Sequence, residues 1–146
     1  MSERPRPELR SAYRHFRIIP TRWMDNDVYG HVNNVQHYSF FDTVVNGYLI
    51  EQGALDPQHS PVVGLVVETK CNYFDSVAFP DEIHAGLRVA RLGQSSVRYE
   101  VGLFRGTAMQ AAAQGHFVHV YVARDTRRPA ALPEPLKRAL APLMID

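Results

Sequence analysis

An α+β fold is predicted from the order in which the chain changes its hydrophobic rhythm. A short alternating segment comes first and one long stretch of helical spacing follows. The remainder, up to Ala123, is a run of strand-like segments rich in Val, Tyr and Phe with no second long helix among them. The first strand is expected from about Tyr13 to Thr21, where Phe16 and Ile18 alternate with Arg17 and Ile19 ahead of Pro20. Polar residues and Gly30 then dominate as far as Asn34. Beyond it Val35, Tyr38, Phe41, Val45, Tyr48 and Leu49 recur at helical spacing, and Phe40 and Val44 widen their apolar face. So broad a surface belongs to a helix largely wrapped by other elements, and Gly53 supplies its stop.

Past the turn-rich run Asp56-Pro57-Gln58-His59-Ser60-Pro61, strands are expected near Val62 to Phe74, Glu82 to Arg91, Ser96 to Phe104 and Met109 to Val122. Gly93-Gln94-Ser95 and Arg105-Gly106-Thr107 are the hairpin connections. Val97, Tyr99, Val101 and Leu103 alternate with Arg98, Glu100 and Gly102, which gives that strand one buried and one wetter face. The tail from Pro133 to Leu143 is expected as a short helix with Leu136 and Leu140 turned inward. Residues 1–12, charged and proline-containing, are expected as a flexible arm, and 13–146 as a single domain. One helix covers only part of a sheet this size. Two copies paired edge to edge would hide the rest and remove an exposed edge strand, so a homodimer is expected.

Composition narrows the function classes. The 146 residues suit one domain of the usual size, roughly 100 to 200, and 45% hydrophobic with 21% charged residues is the make-up of a globular chain. Sixteen basic against fifteen acidic side chains leave a net charge of +1, so no overall field steers the protein to nucleic acid or anionic lipid. Cys71 is the sole thiol. That excludes an intramolecular disulfide and a zinc site of clustered cysteines, and it fits a reducing, cytoplasmic setting. No apolar stretch follows the charged N-terminus, as a secretory signal requires, and Val62-Val63-Gly64-Leu65-Val66-Val67 is far short of the ~20 residues of a spanning helix.

Functional groups are densest in Arg22-Trp23-Met24-Asp25-Asn26-Asp27-Val28-Tyr29-Gly30-His31-Val32-Asn33-Asn34, where the first strand gives way to the helix. A helix start offers unpaired N–H groups and partial positive charge, which stabilise an oxygen turning negative as a carbonyl is attacked. A carboxylate close by serves as base or nucleophile. Asp25 and Asp27, two apart, share a face in extended backbone, and Asn33 or Asn34 can cap the helix. This is the outline of an acyl-transfer site.

The run RWMDNDVYGHVNNVQHY, and above all its Asp-x-Asp-x-x-Gly-His-Val-Asn-Asn core from Asp25 to Asn34, resembles the signature of the 4-hydroxybenzoyl-CoA thioesterase family of the hotdog-fold superfamily. The order of elements agrees from Tyr13 to Ala123. The resemblance implies an antiparallel sheet of about five strands wrapped around one central helix, paired as a homodimer or a dimer of dimers (homotetramer), with active sites at the interface. It also implies hydrolysis of acyl-CoA to free acid and CoA without metal or organic cofactor, CoA being part of the substrate. Carried over by residue, Asp27 is the nucleophile or general base and the Asn34 main-chain N–H is the oxyanion donor. His31 is a further catalytic candidate, as general acid, and Trp23, Tyr29, Gly30, Asn33 and Tyr38 are the candidates for substrate contact.

Plainer roles stand beside these. Asp27 can cap a turn, Asp25 can bind loop backbone or Arg22, His31 can orient the loop, Asn33 can cap the helix, and Tyr38, Phe40 and Phe41 can be core. His116 and His119, three apart on a strand, face opposite sides, so no metal pair is expected there. Arg88, Arg91, Arg98, Arg124, Arg127 and Arg128 are candidates for the phosphates of CoA, and Cys71 reads as a buried small residue. Where many relatives carry a Pro-x-x-Gly-Asp turn, this chain has Phe79-Pro80-Asp81-Glu82. Two rival functions remain: an acyl-thioester hydratase or dehydratase, and a non-catalytic dimer that binds acyl-CoA. Hotdog hydratases pair an aspartate with a histidine five positions on, whereas His31 lies four after Asp27 and six after Asp25.

Overall fold

The computed structural model describes residues 4–145. Five strands, β1 (His15–Pro20), β2 (Val62–Tyr73), β3 (Glu82–Leu92), β4 (Ser96–Arg105) and β5 (Ala113–Ala123), form one antiparallel sheet in the order β1-β3-β4-β5-β2. The 18-residue helix α1 (Asn34–Glu51) lies across one face, and the short α2 (Glu134–Leu140) closes its C-terminal end. This is the predicted α+β arrangement, a hotdog fold. Residue alternation works as expected at the centre: Val97, Tyr99, Val101 and Leu103 of β4 meet Phe41, Val44 and Val45 of α1 in one core, all sealed from solvent. Each such side chain contributes about 1.5–3 kcal/mol by leaving water.

The segment ahead of β1, expected as a flexible arm, is fixed to the sheet from Glu8 onward; residues 1–3 lie outside the described residues. Glu8 N–H donates to Gln114 Oε1 (2.6 Å), Arg10 N–H to the Met109 carbonyl (3.0 Å) and Ala111 N–H to the Glu8 carbonyl (3.0 Å). Its anchor is Tyr13, whose ring lies on the sheet face opposite α1 over the paired Gly86 and Gly102. A Cβ at Gly102 would stand only 2.5 Å from that ring. No local pattern announces this hold, because the seat is made by two glycines on separate strands.

β2 differs from its neighbours. It is an edge strand, bulged between Val66 and Glu68, and Leu65, Val66 and Val67 stand exposed. The last strand begins at Ala113 and not near Met109, because Met109, Ala111 and Ala112 spend backbone groups on the N-terminal segment and on Phe74, Asp75 and Leu103.

Candidate active site

The chain between β1 and α1 folds into a compact loop with two unlike aspartates. Asp25 ends a single 3-10 turn (Trp23–Asp25), and its carboxylate accepts from Arg22 N–H (2.8 Å), Nη2 (2.8 Å) and Nε (3.1 Å). It is 1% exposed, and its carbonyl accepts from Asn33 N–H at 2.9 Å, which ties the loop to the helix start. The expectation that Asp25 and Asp27 share a face fails, since the 3-10 turn breaks the extended alternation between them. Asp25 is a structural clasp.

Asp27 opens a tight turn. Its N–H donates to the His31 carbonyl (2.9 Å), its carbonyl accepts from Gly30 N–H (3.1 Å), and Gly30 takes φ 85°, a conformation that favours glycine. One carboxylate oxygen, Oδ1, accepts from Tyr29 N–H (2.9 Å). The other, Oδ2, lies 3.8 Å from His31 Nδ1, too far for a hydrogen bond, and so remains free to accept. The Asp27 side chain is 19% exposed. It looks into a hollow of about 610 Å³ whose wall also holds Tyr29, His31, Asn34, His37 and Tyr73.

Asn33 caps α1, its Oδ1 accepting from Val35 N–H at 3.1 Å. Asn34 is the first helical residue, and its main-chain N–H has no acceptor among the described residues. Asp27 and Asn34, the residue with the unpaired helix-start N–H, therefore line one cavity. That pairing can bind a polarised carbonyl: oxygen to the N–H, carbon toward the carboxylate.

The family model of the thioesterase-like superfamily matches residues 21–140, which includes this loop, both helices and every strand but β1. The chain belongs to the thioesterase-like superfamily. The PA5185 protein of Pseudomonas aeruginosa is 59% identical, with a TM-score of 0.93 over 96% of this chain and 97% of that one. A 1,4-dihydroxy-2-naphthoyl-CoA thioesterase of Synechocystis, Slr0204, is 18% identical with a TM-score of 0.78 over 86% and 93%, a likeness of fold. The YsmA protein of Bacillus subtilis (strain 168) is 23% identical over 93 residues, 64% of this chain and 63% of that protein.

Of the residues singled out in the sequence, Asp27, Tyr29, His31 and Asn34 come together around the hollow, while Trp23, Gly30, Asn33 and Tyr38 are absent from its wall. Trp23 points outward against the edge of Phe79, at 6.1 Å between ring centroids. Gly30 serves the turn and Asn33 the helix cap. Tyr38 stacks on Phe117 (6.4 Å) at the side of the core. The phosphate candidates Arg88 and Arg98 are held by Glu100 at 2.8 and 3.1 Å, and Arg124 by the Ser60 and Pro57 carbonyls.

The structure adds His37 and Tyr73. His37 is 4% exposed, and burial lowers its pKa; its Nδ1 has no hydrogen-bond partner among the described residues. Tyr73 stands edge-on to it (4.9 Å) and donates from its hydroxyl to the Asn34 carbonyl at 3.2 Å. Val77, whose carbonyl accepts from Val32 N–H (2.7 Å), docks the following segment on the loop. Spacing gave a usable hint only for His37, one turn beyond Asn33. Elsewhere His116 pairs with Glu68 (2.7 Å), His119 is buried, and burial pushes the half-buried Cys71 thiol up to about 11. Among the described residues there is no cluster of three or more side chains fit to hold a metal, and no helix long and apolar enough to cross a membrane.

Proposed function

We propose that the chain hydrolyses acyl-CoA thioesters to free acid and CoA, as in the 4-hydroxybenzoyl-CoA thioesterase family. The observation that carries this reading is that Asp27 and Asn34, whose main-chain N–H is unpaired among the described residues, line one hollow. A thioester carbonyl placed there points its oxygen at the helix start. Either Asp27 Oδ2 adds to the carbonyl carbon, or Asp27 takes a proton from a water that adds instead. In both cases the tetrahedral oxyanion rests on the Asn34 N–H, worth about 3 to 4 kcal/mol for a typical donor of this kind.

Collapse of that intermediate breaks the C–S bond. On the first route water then cleaves the acyl-aspartyl anhydride; on the second the acid forms directly. In this reading His31, half-exposed at the cavity and beside Asp27, gives the departing thiolate its proton. The scheme calls for no metal or organic cofactor. The working unit in this reading is a homodimer or dimer of dimers in the cytoplasm; the exposed apolar edge of β2 supports self-association.

The test is release of free thiol from a panel of acyl-CoA esters carrying short, long, branched and aromatic acyl groups. Turnover of at least one is expected. Binding without thiol release would leave the protein a carrier, and a change in enoyl absorbance without free CoA would make it a hydratase.

A further inference from the structure

A second hollow of about 660 Å³ adjoins the first. Leu9, Phe74, Asp75, Arg105, Met109 and Ala112 are in its wall, and Phe74 and Asp75 belong to both cavities. Arg105, the last residue of β4, stands where they meet: its Nη2 lies 3.7 Å from Asp75 Oδ2, and its Nη1 donates over 3.5 Å to the carbonyl of Ser76, a residue of the first cavity. Both contacts are long, and the Arg105 side chain is 51% exposed. An exposed pair of this kind adds little, so the guanidinium is free to exchange Asp75 for a stronger anion. Arg88 and Arg98 lack this freedom because Glu100 holds both closely. Arg10 adds a second positive charge beside the same loop. Its Nη2 donates to the Gly106 (2.6 Å) and Ala108 (3.1 Å) carbonyls, and it has no carboxylate partner among the described residues.

A CoA thioester is an apolar acyl group joined through a long pantetheine arm to phosphates, too extended for a single cavity beside Asp27. We propose that the second hollow receives the phosphate-bearing end of the thioester, with Arg105 as its phosphate ligand. This rests on the hydrolase reading of the first cavity. Phosphate next to pantetheine is common to CoA and to the prosthetic arm of a carrier protein, and Arg105 recognises the shared chemistry.

The experiment compares one acyl group carried as its thioester on CoA, on 4′-phosphopantetheine and on unphosphorylated pantetheine. Arg105→Ala is expected to cut the preference in kcat/KM for the CoA thioester over the pantetheine thioester by at least roughly tenfold, through KM, as for loss of a charged hydrogen bond. Arg105→Lys should restore part of it, and Asp75→Asn, which removes the competing carboxylate, should raise it. An equal response of the phosphopantetheine thioester places Arg105 on the phosphate common to both arms; a response of CoA alone places it on the nucleotide end. An unchanged preference, or an equal loss on all three thioesters, overturns the assignment. If the wild type hydrolyses none of them, it is the hydrolase reading that has failed.

Discussion

The two ends of α1 are built on opposite terms. At its C-terminal end Tyr48 and Leu49 are buried, and the Tyr48 hydroxyl donates to the Ala139 carbonyl of α2 at 2.6 Å. At its N-terminal end Asn34 and Val35 are exposed, one main-chain N–H has no acceptor among the described residues, and two carboxylates, two histidines and two tyrosines line a hollow. The closed end is packed, gives the Tyr48 hydroxyl its acceptor and carries stability. The open end leaves a donor and a carboxylate oxygen without protein partners among the described residues, and so available to a ligand.

The sharpest way to break this contrast is to damage the packed part. Phe41 is fully buried between α1 and the sheet, so Phe41→Ala is expected to cost about 3–5 kcal/mol of unfolding free energy, read by urea denaturation. A cost near that of a surface change would mean that the helix is not anchored there.

Next comes pH. Burial lowers the pKa of His119 in the core to about 4. The unfolded chain therefore takes up a proton below about pH 6.5 that the folded chain accepts only near 4, and stability falls as pH drops through that window. The loss from His119 is on the order of 3 kcal/mol at the lower end. His119→Phe should flatten the curve. Some slope should remain, because burial also lowers His15 and His37. An unaltered slope would remove His119 as its source.

Smaller effects separate the ends further. Tyr48→Phe leaves the Ala139 carbonyl without its donor and is expected to cost about 1–2 kcal/mol with no change in activity. Asn33→Ala removes the cap, about 1 kcal/mol, but should also lower activity because it loosens the turn that presents Asn34. Equal activity in the two variants would erase the distinction.

The closed end was legible in sequence. The spacing from Phe40 to Leu49 announced the buried helix face, and the alternation from Val97 to Leu103 announced the strand beneath it. At the open end the Asp25–Asn34 motif gave the loop, but adjacency along the chain did not give direction. Trp23 turned out to Phe79 and Tyr38 to Phe117, while Asp25 folded under Arg22. Tyr73, Asp75 and Val77 were invisible as cavity residues, since they arrive from the far end of an edge strand, some forty residues on. The register that brings them there is fixed by pairing with β5 and not by any local pattern.

In the proposed mechanism the carboxylate at position 27 does chemistry at a site whose removal leaves the fold alone. The most direct measurement is thiol release by Asp27→Asn on the best acyl-CoA substrate, with the melting temperature and oligomeric state followed in parallel. A rate at least ~100-fold lower is expected, with both physical properties unchanged. A rate equal to wild type, or a loss of activity that tracks a loss of folded protein, would contradict it.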